Sequence, residues 1–121
     1  SISLTNALAI AYGGTGANNA ASARTNLGIA ATSLYNGTLT SGSITFNYGN
    51  YNFYVIIGRP SSTASRASLV VPRIMLTTSA VAFQIADESN YKSFNLSYSG
   101  SLVTLAMGNG AGQINRVFGV N

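Results

Sequence analysis

The chain has 121 residues, enough for one domain with a modest core and a short appendage. Only 7% of the residues are charged, and the six Lys and Arg residues are scattered, so no basic patch for nucleic acid is expected. The longest apolar runs are strand-sized, which excludes insertion into a membrane as a helix, and cysteine is absent, which excludes disulfides.

The low charge has two interpretations. Either partner chains cover much of the surface, as in an obligate oligomer, or Ser, Thr and Asn cover it, since the sequence is rich in all three. The net charge of +4 could help the protein approach an anionic cell envelope. Because the chain begins at Ser1 without a methionine, we expect it to be part of a longer protein.

Residues 1–31 are predicted to form an appendage to the main domain. A partly apolar lead-in, short strand or extended, occupies 2–11. The glycines within 13–16 then favour a tight turn, because glycine adopts positive φ without steric cost. A helix follows the turn, and small residues at 30–33 read as a linker to the domain.

The helix is predicted at about 19–27, with Asn18 or Asn19 as its N-cap and Gly28 as the residue that ends it. A helix of about two turns is not stable alone in water. Its apolar face is narrow, so we expect identical copies of the chain to hold it. The residues expected in that contact between copies are Ala20, Ala23 and Leu27.

Residues 32–121 carry the composition of strands, because aromatic, β-branched and hydroxyl residues alternate with turn residues. Strands are predicted near 34–39, 43–47, 51–58, 67–72, 74–78, 80–86, 91–99, 101–107 and 113–120. Many short strands at close spacing predict a mainly β fold, an antiparallel β-sandwich or jelly roll.

The alternation within several strands predicts which side chains face the core. Tyr54 to Ile57 is apolar on both faces, which indicates a central strand. Turns are predicted at 87–90 and, as hairpin turns, at 41–42 and 99–100. The residues predicted to face inward elsewhere are Ile44, Phe46, Phe83, Ile85, Phe94, Leu96 and Tyr98.

Catalytic chemistry finds little support in the residues. Histidine is absent, and the only two carboxylates, Asp87 and Glu88, are adjacent rather than placed to face each other across a substrate. The glycines near Gly14 lack the lysine of a phosphate-binding loop, and Gly108 to Gly112 reads as a flexible surface loop. We therefore expect no enzymatic activity, no metal site and no cofactor.

Two polar loops and one tyrosine-rich turn are the candidate binding elements. The loops span 59–66 and 87–92, and binding function concentrates on such connections. Tyrosine rings beside asparagine suit a sugar, although the two turn tyrosines could equally serve local packing, and each loop could be merely solvated. The candidate contact residues are Arg59, Ser61, Ser62, Arg66, Asp87, Glu88, Asn90, Tyr91, Lys92, Tyr48 and Tyr51.

The sequence Gly-Gly-Thr-Gly-Ala at 13–17, followed by Ala-Arg-Thr-Asn-Leu-Gly at 23–28, closely resembles a repeat of bacteriophage tail fibres. In that repeat a glycine-rich turn leads into an Ala-rich segment that ends in Ala-Arg-x-Asn-Leu-Gly. The match covers about residues 8–28. More loosely, 34–46 and 114–120 resemble the C-terminal tip domain of such fibres.

The resemblance implies a homotrimer at the distal end of the tail fibre of a virion. It further implies a receptor-binding role, adsorption to a lipopolysaccharide or an outer-membrane protein of the bacterial surface. Two alternatives stay open from the residues alone. One is a purely structural shaft or trimerisation module, and the other, less favoured, is an enzyme that trims surface polysaccharide.

Overall fold

The computed structural model describes residues 14–27 and 31–121, and the protein is mainly β. Thr32 to Val120 form one compact unit, here called the β unit. Residues 14–27 form a turn and a helix, α1, which spans Ala20–Asn26. The strands are β1 Ala31–Leu39, β2 Ser43–Asn47, β3 Phe53–Arg59, β4 Ala67–Pro72, β5 Val81–Ala86, β6 Tyr91–Ser99, β7 Leu102–Gly110 and β8 Gln113–Val120.

The turn and α1 are tied together at both ends of the helix. Gly16 has a φ of 68°, the left-handed conformation that favours glycine. Asn19 is the N-cap, since its side-chain oxygen accepts from the Ser22 amide at 2.8 Å. At the other end the Asn26 side-chain amide donates to the Thr15 carbonyl at 2.9 Å. The predicted helix and its cap are confirmed, whereas the lead-in at 2–11 and the stop at Gly28 lie outside the described residues.

The strands form two four-stranded sheets. The first sheet has the order β1-β8-β3-β4 and the second has the order β2-β7-β6-β5. The pairs β3–β4, β3–β8, β2–β7, β5–β6 and β6–β7 are antiparallel. Strand β3 lies between β8 and β4, which confirms that the apolar run at 54–57 belongs to a central strand.

One hydrophobic core draws its side chains from both sheets. Tyr54 and Ile56 of the first sheet are fully buried, as are Phe94 and Leu96 of the second to within 1% exposure. The rings of Phe46 and Tyr54 meet at 5.8 Å between centroids, which joins the two sheets directly. The predicted inward alternation is thereby confirmed, because successive residues of a strand point to opposite faces.

Two predicted elements between strands are wrong. The strand at 74–78 is replaced by a 3-10 helix, Arg73–Met75, closed by a bond from the Leu76 amide to the Arg73 carbonyl at 3.1 Å. Here the chain leaves the edge of one sheet for the edge of the other, so the β-propensity of these residues is overridden. The predicted linker is also wrong in part, because Ala31 to Ser33 already belong to β1.

Of the two predicted hairpin turns, one is confirmed and the other is wrong. Ser99-Gly100 closes the β6–β7 hairpin, with a φ of 59° at Gly100. Ser41-Gly42 is not a hairpin turn, because β1 and β2 lie in different sheets. The glycine-rich segment at 108–112 is exposed from 108 to 111, as a surface segment should be, but β7 continues to Gly110, so only 111–112 connect strands, and Gly112 is buried.

Candidate binding surface at the loop end

Three connections between strands leave the β unit at one end. Strand β3 runs toward Arg59, which pairs with Gln113 at the start of β8. In the other sheet Lys92, near the start of β6, pairs with Gly110 at the end of β7. The connections at 60–66, 87–90 and 111–112 therefore lie together, and we call this region the loop end.

Gly112 is the point at which the two predicted loops meet. Its amide donates to the Tyr91 carbonyl at 3.2 Å. A Cβ at this position would lie 2.4 Å from the Arg59 carbonyl oxygen and 2.8 Å from the Lys92 Cβ, closer than any side chain tolerates. The close approach of the loops thus requires glycine at this position. The connection at 111–112, which contains it, was not among the predicted binding elements.

Strand β1 begins at the opposite end of the β unit. The Asn115 side-chain amide, near the start of β8, donates to the carbonyl of Gly37, near the end of β1, at 3.3 Å. Strands β1 and β8 are neighbours in this antiparallel sheet, so the first residues of β1 lie beside the last residues of β8. The loop end is far from the point at which the chain enters the β unit.

The connection between β3 and β4 combines one braced arginine with exposed groups. Arg59 is half-buried and its guanidinium donates to the Ser62 carbonyl at 3.4 Å, while its Nε is buried without a partner. Ser61 is half-buried, and Ser62 and Arg66 are exposed. Arg59 thus shapes the loop from inside, and Arg66 is the cation free to meet a ligand.

The connection between β5 and β6 is a turn organised by Asp87. One carboxylate oxygen of Asp87 accepts from the amides of Ser89 at 2.9 Å and Asn90 at 2.7 Å. These two backbone bonds hold the pKa of Asp87 below its usual value, although the side chain is fully exposed. Asn90 is half-buried, and Glu88 is the exposed carboxylate that takes no part in the turn's bonding.

Lys92 differs most from its expected place. It lies within β6 on the inward side, is 5% exposed, and donates from Nζ to the Gly110 carbonyl at 3.1 Å. The signal was present in the sequence, since Lys92 has the parity of Phe94 and Leu96. Tyr91 has the opposite parity and is 43% exposed, so it does face outward.

The tyrosine-rich turn lies at the other end of the β unit, where Arg73 binds it together. The Arg73 guanidinium lies 3.7 Å from the centre of the Tyr48 ring and donates to the carbonyls of Tyr48, Gly49 and Tyr51. The Tyr48 ring also stacks on the Tyr98 ring, with 4.7 Å between the ring centroids. These contacts favour the packing interpretation of Tyr48.

Tyr51 and Tyr54 complete this packed turn. The Tyr51 ring covers Gly119 so closely that a Cβ there would lie 2.5 Å from it. The Tyr54 hydroxyl donates to the Tyr48 carbonyl at 2.5 Å, and burial raises the pKa of Tyr54 from 10.0 to about 12. Arg73, which organises the turn, was not identified from the sequence, because its partners are backbone carbonyls more than 20 residues away.

The described residues offer no enclosed site. Within 14–27 and 31–121, no three His, Cys, Asp or Glu side chains lie together as metal ligands, and no pocket opens. No helix in that part of the chain is long and apolar enough to cross a membrane. A ligand would therefore meet an open surface of loops.

Comparison with protein-family models found no match. Comparisons with curated proteins and with solved structures found none either.

Proposed function

We propose that this chain is the receptor-binding tip at the distal end of a bacteriophage tail fibre. It assembles as a homotrimer and attaches the virion to a lipopolysaccharide or an outer-membrane protein of the host. It needs no cofactor and performs no catalysis. The repeat at 8–28 leads from the fibre shaft into a β-sandwich of the jelly-roll type.

The observation that carries this proposal is the position of the loop end. The two loops singled out as binding elements meet there, together with a third connection, around Gly112. They lie away from the start of β1, where the chain arrives from the fibre side. A tip needs this arrangement, since its exposed loops must point away from the shaft.

The strand pairing supports the jelly-roll assignment in part. The first strand pairs with the last and the second with the last but one, as β1–β8 and β2–β7, which is the nested pairing of a double Greek key. The remaining strands depart from that pattern, because β3 pairs with β4 and β5 pairs with β6. The two sheets also share one core, as the layers of a sandwich do.

Two features support assembly of copies. The helix α1 has seven residues and none of them is buried, so its own chain contributes little to its stability. The few charges of the chain leave an unusually neutral surface. In a trimer, three weak loop contacts on one rigid head would gain by avidity about a hundredfold.

The experiment is a cell-binding assay with the fluorescently labelled chain on a panel of Gram-negative strains. Saturable binding to particular strains is expected, and binding lost after removal of surface polysaccharide would identify that receptor class. Binding to no strain would favour the purely structural module. Shortening of purified polysaccharide by the chain would favour the enzyme.

A further inference from the structure

The two sheets of the β unit differ in what they present on their outer faces. The second sheet follows the usual rule for a sheet in water, with apolar residues inward and polar residues outward. Its outward residues form cross-strand pairs of hydroxyl and amide groups. They include Thr45, Gln84, Ser93, Asn95, Ser97 and Thr104.

The first sheet breaks that rule. Tyr54 and Ile56 of β3 point inward and are fully buried, so the residues between them point outward. Their cross-strand partners in β4 and β8 share that face. The six residues that define this apolar outer face are Phe53, Val55, Ile57, Val70, Phe118 and Val120.

The apolar outer face is only partly covered by the chain itself. Val70 is 56% exposed, and the other five are half-buried although they belong to no part of the described core. Ile74, in the connection that follows β4, is 91% exposed. A continuous apolar surface of this kind marks an interaction site.

Arg116 adds a second reason to expect a partner. It lies on the same face opposite Ile57, and its guanidinium lies 4.6 Å from the centre of the Phe118 ring. Its Nε is buried and has no acceptor within the described residues, and the same holds for Arg59 at the end of β3. The guanidinium of Arg116 also places a positive charge on this apolar face, and an acidic group from outside the chain would stabilise that charge.

We propose that the apolar outer face of β3, β4 and β8 packs against a second copy of this chain. The contact is heterologous, with this face of one protomer against a different surface of the next. A twofold contact of the face with itself would bring Arg116 toward its own copy without an acid between them. A heterologous contact instead brings this face against a different surface of the next protomer, which can supply acceptors. Contacts of this kind close into rings, including rings of three protomers.

Charge favours a copy over the other occupants. The only carboxylates of the chain, Asp87 and Glu88, lie on the β5–β6 turn and not on this face. That turn is near the level of Arg59, because Gly112 contacts both Arg59 and Lys92. In a ring of protomers whose axis runs parallel to the strands, the acidic turn of one protomer would lie at the same height along the axis as the arginines of its neighbour. A membrane would instead have to bury the guanidinium of Arg116, which lies against the Phe118 ring of this face.

The inference rests on the proposed trimer, and single cysteines test it cleanly because the chain has none. Val70→Cys places a thiol on the apolar outer face. Thr45→Cys is the matched control, an exposed residue of β2, the edge strand of the other sheet that lies farthest from β5 and its acidic turn. In the assembled chain we expect maleimide to react at Val70→Cys about tenfold more slowly than at Thr45→Cys, because a covered thiol reacts only when the contact opens. Both thiols should react equally in urea.

A second pair of variants measures the assembly itself. Val70→Glu should shift the mass from trimer to monomer with an unchanged circular dichroism spectrum, since the protomer leaves Val70 exposed. Thr45→Glu should remain trimeric. A trimer in which Val70→Cys reacts at the control rate overturns this inference and leaves the proposed trimer intact. A monomer in which Val70→Cys is protected also overturns it, because the chain then covers its own face. A monomer in which Val70→Cys reacts at the control rate overturns both this inference and the proposed trimer. The receptor-binding role is then tested separately by the cell-binding assay.

Discussion

Individual side chains of the loop end divide into those that build the surface and those that can bind from it. Arg66 and Tyr91 are exposed, and Arg59 braces its own loop. Lys92 is buried and bonded to Gly110. Sequence position alone put all four into one candidate set, because burial is a property of the folded strand pair and not of the loop's composition.

Single substitutions separate the residues that bind from those that build the surface. Arg66→Ala and Tyr91→Ala should each lower cell binding about tenfold or more, since a loss repeated in three copies is multiplied by avidity. Their urea unfolding midpoints should stay unchanged, because both side chains are exposed. Arg59→Ala should weaken binding by more than its effect on folding.

Lys92→Ala is the matched control. It should lower the free energy of unfolding by about 1–3 kcal/mol through lost packing and the lost bond to Gly110. Its binding should fall only in proportion to the unfolded fraction. Normal adsorption by all three loop variants would place the receptor site elsewhere, with the turn at 48–51 as the next region to test.

Tyr54 gives a prediction about pH. Its pKa is raised by burial from 10.0 to about 12, so above pH 10 the unfolded chain loses this proton while the folded chain keeps it. The stability contributed by the neutral phenol is therefore complete below pH 10 and is lost as the pH rises toward 12. Urea unfolding should show a falling midpoint over that window. In Tyr54→Phe this part of the slope should be absent, and an unchanged slope would contradict the assignment.

At the scale of elements, most strands were predictable because alternation and turn residues coincide. The strands at 43–47, 67–72, 91–99 and 113–120 have the predicted bounds. The misses arose where pairing over long distances decides the structure. Ile74 to Leu76 have strand propensity but occupy the crossing between sheets, and Ser41-Gly42 joins strands that never pair.

The candidate site was predictable to a similar extent. Composition indicated both polar loops, and local parity would have placed Lys92 inside. No local signal could show that Gly112 brings the loops together, or that Arg73 binds three carbonyls of a distant turn. Both contacts depend on which strands become neighbours, and that is set by the whole β unit.

The helix α1 yields the element-scale prediction. Leu27 is 50% exposed in the single chain, so Leu27→Asp should cost an isolated chain little. If other copies cover Leu27, an unpaired charge in that apolar contact would lower the free energy of unfolding by about 2 kcal/mol or more. We therefore expect a lower melting temperature for Leu27→Asp than for Thr25→Asp, which adds the same charge at the same end of the helix, on another exposed side. Equal melting temperatures would show that the helix only connects.

At the scale of the whole molecule, the proposed assembly of identical chains rests on the sparse charge, the exposed helix and the apolar outer face. Light scattering on the purified chain should give three times the mass of 12.5 kDa. A stable monomer at micromolar concentration would rule out the trimer. It would also remove the avidity on which weak loop contacts depend.

Competition for adsorption tests the central claim most directly. Cells of a strain that binds the chain are incubated with it and then challenged with the phage that carries it. If the chain is the receptor-binding tip, unlabelled chain should block adsorption in a saturable manner, whereas Arg66→Ala should block it only at higher concentration. Undiminished adsorption at concentrations that saturate the cells with wild-type chain would contradict the account.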